Sequence, residues 1–240
     1  MIEQLTLTLL ILVSTVPIIL LFSEKQTNMG KYAGLLTLYH LAYVALIFLP
    51  LAYSYLAIPG GSMNWTGKLL AILFSLVFYW MVRHHFNDHD FIVSPPLKGS
   101  IKKVTRVGLI TIAVMCVLTV VFSKTKPLDI EKLSYQLTMP GLDEELWRGI
   151  LLGLLLIILK DGKFKMGHPA VWVVTIIFAL GHSLYFKDWE LGFALDAFII
   201  TGALGFILGW MTIYSRSILL AIVFHNLINF STNFIEMVIL

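Results

Sequence analysis

Pro140-Gly141-Leu142-Asp143-Glu144-Glu145-Leu146-Trp147-Arg148-Gly149 opens a run that stays apolar from Ile150 to Leu159. Three acids and an arginine are ordinary on a solvated helix. At the head of a segment long enough to cross a bilayer they are not, because an ionisable side chain at the centre of a membrane helix costs roughly 2.5–3.5 kcal/mol on insertion scales. Groups kept at that cost either pair with something or carry out chemistry, so the rest of the chain is read for their partners.

The flanking sequence fixes the class. The 240 residues are 58% hydrophobic and 13% charged, with mean hydropathy +0.88, where soluble domains carry about 25% charged residues. Apolar runs fall at about 5–22, 33–57, 67–83, 104–123, 141–159, 169–186, 193–214 and 217–237. Backbone exposed to a bilayer has to bond internally, so each run predicts a helix. Continuous rather than alternating hydrophobicity argues against a β-barrel. The expectation is an all-α polytopic membrane protein of about eight transmembrane helices, a single membrane domain over 1–240. Residues 1–23 lack a basic leading segment and a small-residue cleavage site, and read as a first span rather than a signal peptide. A net charge of +3 gives no sign of nucleic-acid binding, and the lone Cys116 excludes an intrachain disulfide.

Lysine and arginine set the expected orientation. Loops after the odd-numbered spans hold 11 of them, and the other side holds 5, namely Lys68, Lys124, Lys126, Lys132 and Lys187. That asymmetry predicts both termini outside the cytoplasm, and the compact size without organellar targeting features suggests a bacterial inner membrane. The loop after the third run, Arg83-His84-His85-Phe86-Asn87-Asp88-His89-Asp90, has imidazoles and carboxylates at metal-ligand spacing. A solvated interfacial turn explains the same residues and is the preferred reading.

Two later spans carry polar groups at helical spacing. Phe178 and His182 stand at i and i+4 in the sixth run, and His225 and Asn229 in the eighth. Each residue has a plain structural role open to it. Asp143 is placed to favour a helix N-terminus. Glu144 and Glu145 stand i,i+4 and i,i+3 to Arg148, as packing ion pairs do. A membrane histidine or Asn229 commonly bonds between helices. For all of these to hold in three neighbouring spans is less economical than one shared site in the C-terminal half.

The chemistry open to such a site is hydrolysis. A carboxylate takes a proton from water, and a neighbouring imidazole orients that water and passes the proton to the leaving group. A second imidazole and an amide donate to the oxyanion, at about 2.7–4 kcal/mol per donor. Neither HExxH nor GxSxG occurs, so the zinc and serine versions lack their signatures and no cofactor or metal is expected.

An acidic pair with an arginine, then FxxxH, then HxxxN, in that order on successive spans, resembles the CAAX-protease and bacteriocin-processing family of glutamic intramembrane endopeptidases. The likeness covers about residues 131–240, and residues 1–130 add hydrophobic spans. It implies a metal-independent protease acting on a peptide or protein at the bilayer surface, with Glu144 activating water, His182 assisting, and His225 with Asn229 as the oxyanion site. Asp143, Glu145, Arg148 and Phe178 are the supporting residues. The sequence departs from the family's Glu-Glu-x-x-x-Arg in one respect. Anchoring on Arg148 makes the pair Asp143-Glu144, with an acid shorter by roughly 1.5 Å. Anchoring on Glu144-Glu145 brings the arginine one residue early, about 100° around the helix. Glu144 belongs to the pair in both registers. Two other functions share these residues: a catalytically silent peptide-binding or immunity protein on the same scaffold, and a transporter whose polar path includes Glu144, Arg148 and His182.

Overall fold

The computed structural model describes residues 2–22, 29–58, 61–86, 89–159, 167–187 and 190–239. These form α1 (Ile2–Phe22), α2 (Met29–Ala52), α3 (Trp65–Val82), α4 (Lys98–Phe122), α5 (Ile130–Ile158), α6 (Pro169–Ser183), β1 (Leu184–Lys187), β2 (Glu190–Phe193), α7 (Leu195–Ser215) and α8 (Leu219–Phe234), the last continued by a wide turn over Ile235–Ile239. Among the described residues five helices are long and apolar enough to cross a membrane: α2, α3 with its following turn, α4, α7, and α8 with its extension. Large apolar side chains such as Trp80, Phe122 and Ile199 face outward, as lipid-facing positions do. The all-α polytopic membrane architecture is the one the apolar runs predict.

α5 is the axis of the bundle. It packs against α8, α3, α2, α6 and α7, and nearly every residue from Pro140 to Ile158 is buried. A helix at the centre of a bundle is buried on all sides, and here the buried surface includes Asp143, Glu145 and Arg148. α6 pairs with α7, α2 with α3, and α4 with α8.

Three boundaries differ from the sequence reading. α5 starts at Ile130, where the Asp129 side chain accepts the Lys132 amide at 2.9 Å. The acids therefore lie in mid-helix, and the role of Asp143 as an N-terminal acid is excluded. Second, the run ending near 186 leaves the helix at Ser183 and becomes an antiparallel hairpin, with Tyr185 opposite Gly192. The amide of Ala194 closes it onto the Ser183 carbonyl at 2.9 Å. Third, Lys68 is no loop lysine: it stands inside α3, one turn from the Asn64 cap.

α5 passes through Pro140, which has no amide hydrogen and interrupts the i→i−4 ladder. Asn226 of α8 splices the break. Its Oδ1 accepts the Gly141 amide at 2.7 Å, and its amide nitrogen donates to the Thr138 carbonyl at 3.3 Å. The approach requires glycine, since a Cβ at 141 would lie 2.6 Å from both Asn226 Oδ1 and the Ile222 carbonyl. This fastening sets the rotation of α5, and with it the direction of the acids that follow.

Candidate active site

The three acids leave α5 in different directions. Asp143, fully buried, points toward α2 and α3: its Oδ2 accepts the Tyr43 hydroxyl at 2.8 Å and meets Lys68 Nζ at 2.6 Å. Glu144 meets the same ammonium at 2.8 Å through Oε1, and its Oε2 lies 3.5 Å from His225 Nε2. Glu145, also fully buried, turns the other way, to His225 Nδ1 at 2.8 Å and Arg148 Nε at 2.9 Å. One imidazole thus touches both glutamates, and one lysine touches both Asp143 and Glu144.

Arg148 is fully buried and held on several sides. Besides Glu145 it reaches the Gly205 carbonyl of α7 at 3.4 Å, and its guanidinium lies 4.3 Å from the centre of the Phe178 ring. That ring in turn lies against His182, tilted by 44° with centroids 4.3 Å apart, while His182 Nδ1 is 2.9 Å from the Phe178 carbonyl. Phe178 therefore links the arginine of α5 to the histidine of α6.

A cavity of about 210 Å³ opens beside this cluster, lined among others by His40, Lys68, Glu144, Trp147, Phe178 and His182. Pockets for drug-sized ligands run from ~300 to 1,000 Å³, so this one has room for a peptide bond and one flanking side chain. Its apolar wall is Val44, Ile47 and Phe48 of α2, and Gly181 and His182 at its rim are exposed.

The structure brings together Glu144, Phe178 and His182 on one cavity, and joins Glu144, Glu145 and Arg148 through His225 and the arginine–glutamate pair. The couple that meets His225 is Glu144–Glu145, the register in which the arginine falls one residue early; at i,i+3 it still reaches Glu145. His225 is not among the residues that line the cavity, but it lies against two that do, Glu144 at 3.5 Å and the Phe178 ring at 6.4 Å between centroids. Asn229, one turn further along α8, is half-buried and also off the wall; its carbonyl accepts from Thr232 and Asn233.

Sequence reasoning missed Tyr43, Lys68, His40 and Asn226. The first three sit on α2 and α3, where one histidine, one tyrosine and one lysine stand out little from any membrane span. In the loop after α3, the His84 and His85 rings touch at a tilt with centroids 3.9 Å apart, Lys31 approaches His85 at 3.4 Å, and Asp90 is engaged by the Tyr79 hydroxyl at 2.6 Å. Asn87 and Asp88 lie outside the described residues. Among the described residues no three His, Cys, Asp or Glu side chains are grouped to hold a metal ion.

Residues 132–231 match the sequence model of the family described as Type II CAAX prenyl endopeptidase Rce1-like. No curated protein and no solved structure matches the chain. The matched stretch covers α5 to most of α8, and so holds all three acids, Arg148, His182 and His225.

Proposed function

Residues 132–231 belong to the Rce1-like family, a family of membrane endopeptidases, and from that premise we propose that this protein hydrolyses a peptide bond in the cavity bounded by α2, α3, α5 and α6. The observation that carries the proposal is that Glu144 and His182, on different helices, line one cavity. Glu144 takes a proton from water, and the resulting hydroxide adds to the scissile carbonyl. His182, exposed at the rim, orients the water; as the tetrahedral intermediate collapses and its C–N bond breaks, the proton held by Glu144 passes through His182 to the leaving amine. His225 and Arg148 keep the glutamate pair aimed, and Lys68 with Tyr43 fixes Asp143 on the far side. Asp143 is thereby a support and Glu144 the water-activating acid.

The family's name directs the choice of probe. An internally quenched peptide carrying a prenylated cysteine followed by three residues is added to the protein in phospholipid vesicles, and cleavage is followed by fluorescence. Glu144→Gln and His182→Ala each abolish cleavage while expression is unchanged; full activity in either variant sinks this site. The reading includes an orientation with both termini outside the cytoplasm. Setting Lys68 aside as an ion-paired residue takes the sparser side from 5 basic residues to 4, and the asymmetry grows.

A second reading, a catalytically silent peptide-binding protein, is favoured by one feature: Lys68 already occupies Oε1 of Glu144. It expects the same peptide to bind without cleavage.

A further inference from the structure

The proposed reaction needs a hydrogen-bond donor for the carbonyl oxygen that becomes an oxyanion, and neither of the two residues expected to supply it, His225 and Asn229, is among those that line the cavity. A different histidine lies on that wall. His40 of α2 is buried, with 6% of its surface exposed, and lines the cavity together with Glu144 and His182. Its Nδ1 accepts the indole N–H of Trp147 at 2.9 Å. Indole nitrogen can only donate, so the direction of this bond is fixed. An imidazole accepting at Nδ1 carries its hydrogen on Nε2. Trp147 is held in turn by ring contacts with Tyr43 at 6.0 Å and Phe178 at 6.2 Å, so the bond has a rigid base. Nε2 has no hydrogen-bond partner among the described residues.

We propose that the Nε2–H of His40 is the donor to the carbonyl oxygen of the scissile peptide bond, with Trp147 as the positioning residue that fixes its tautomer. This rests on the protease reading above and adds a residue from the N-terminal half to the site. The geometry suits the role: α2 and α6 face each other across the cavity, so a carbonyl between them has Glu144 with its water on one side and a fixed N–H on another. A preorganised donor set among apolar and aromatic side chains strengthens as charge develops on the oxygen, and loss of one such donor costs about 10²–10³ in kcat.

The test uses the full chain in vesicles with the prenylated quenched peptide. His40→Phe lowers kcat by about 10²–10³-fold with KM changed only a few-fold, and His40→Gln, which returns an N–H near the same place, recovers part of the loss. Trp147→Phe gives a smaller fall in kcat. A purely structural role for His40 predicts instead that Phe and Gln lose activity in step with thermal stability. Unchanged cleavage in His40→Phe, or a kcat loss found in Asn229→Ala and not in His40→Phe, overturns the assignment. Nitrogen-15 spectra of the histidines supply a readout that needs no turnover. They show His40 as the Nε2–H tautomer, with a resonance that shifts on adding peptide to the inactive Glu144→Gln protein. If wild-type protein fails to cleave, the protease reading falls while this shift still reports a carbonyl-binding donor; a resonance that stays put overturns the donor as well.

Discussion

Lys68 Nζ lies 2.8 Å from Glu144 Oε1, and the two residues are 76 positions apart in the chain. Nothing local connects them. The contact is made because α3 packs along α5 with its fourth residue level with the acids, and it ties the N-terminal helices to the part of the chain that matches a protease family. The same ammonium meets Asp143 at 2.6 Å, so one cation of α3 serves two carboxylates of α5.

Removing that cation leaves a fully buried carboxylate beside a nearly buried one. Lys68→Met is expected to destabilise the protein by about 3–5 kcal/mol, as loss of one partner from a buried pair does. Adding Asp143→Asn to Lys68→Met restores part of the loss. Thermal unfolding in detergent checks both; a single variant as stable as the wild type removes the pair from the stabilising interactions.

Arg148→Lys keeps the charge and still fails. Lysine cannot reproduce the Nε bond to Glu145, the Nη1 contact with the Gly205 carbonyl and the planar packing on Phe178 together. The expected cost is on the order of 1.5–3 kcal/mol, that of a hydrogen bond to a charged group. Equal unfolding midpoints for wild type and variant would refute it.

The two asparagines of α8 should behave differently. Asn226→Leu frees the Gly141 amide and the Thr138 carbonyl at the proline break, and is expected to lose about 1–3 kcal/mol through the unsatisfied groups. Asn229→Leu is expected to lose less than about 1 kcal/mol, within the range of substitutions away from such features. The comparison is one of unfolding midpoints measured side by side.

Glu131, in the first turn of α5 ahead of the apolar stretch, clasps the residues that precede α3. It accepts the Ser62 amide at 2.9 Å, the Ser62 hydroxyl at 2.9 Å and the Trp65 indole at 3.0 Å. The Ser62 amide, then its hydroxyl, hold the Glu131 carboxyl below its ordinary value. A depressed folded-state value means the clasp contributes fully above the unfolded glutamate value of about 4.3 and is lost as pH falls through the folded one. The midpoint difference between wild type and Glu131→Gln should therefore be flat from neutral pH down to ~5 and close below ~4. A difference that already fades between pH 8 and 6 would count against the clasp.

Much of this was legible in the chain because hydropathy separates membrane spans from everything else, and charges inside such spans stand out. That is how Glu144, Glu145, Arg148, His182 and His225 came to notice. What hydropathy does not carry is rotation about a helix axis. His225 and Asn229 share a helical spacing, yet the asparagine that reaches α5 beside His225 is Asn226, one position on. Tyr43, His40 and Lys68 escaped for a related reason: their roles depend on which face of α2 and α3 meets α5, and a lysine near the start of a span looks like a loop lysine. Pro140-Gly141 looked like the start of a helix because proline favours that place. The helix continues through it because an amide from another helix satisfies the freed backbone groups.

The position of Lys68 also bears on how the molecule is made. A chain emerging at ~5–20 residues per second delivers Glu144 roughly 4–15 seconds after Lys68. During that interval α3 holds a cation whose partners Asp143 and Glu144 have yet to arrive. Near the start of its helix, the flexible lysine stem lets the ammonium reach up to the headgroups. Arrival of α5 brings the ammonium its two carboxylates and fastens the first half of the chain to them, and α7 and α8 then complete the cluster with Gly205 and His225.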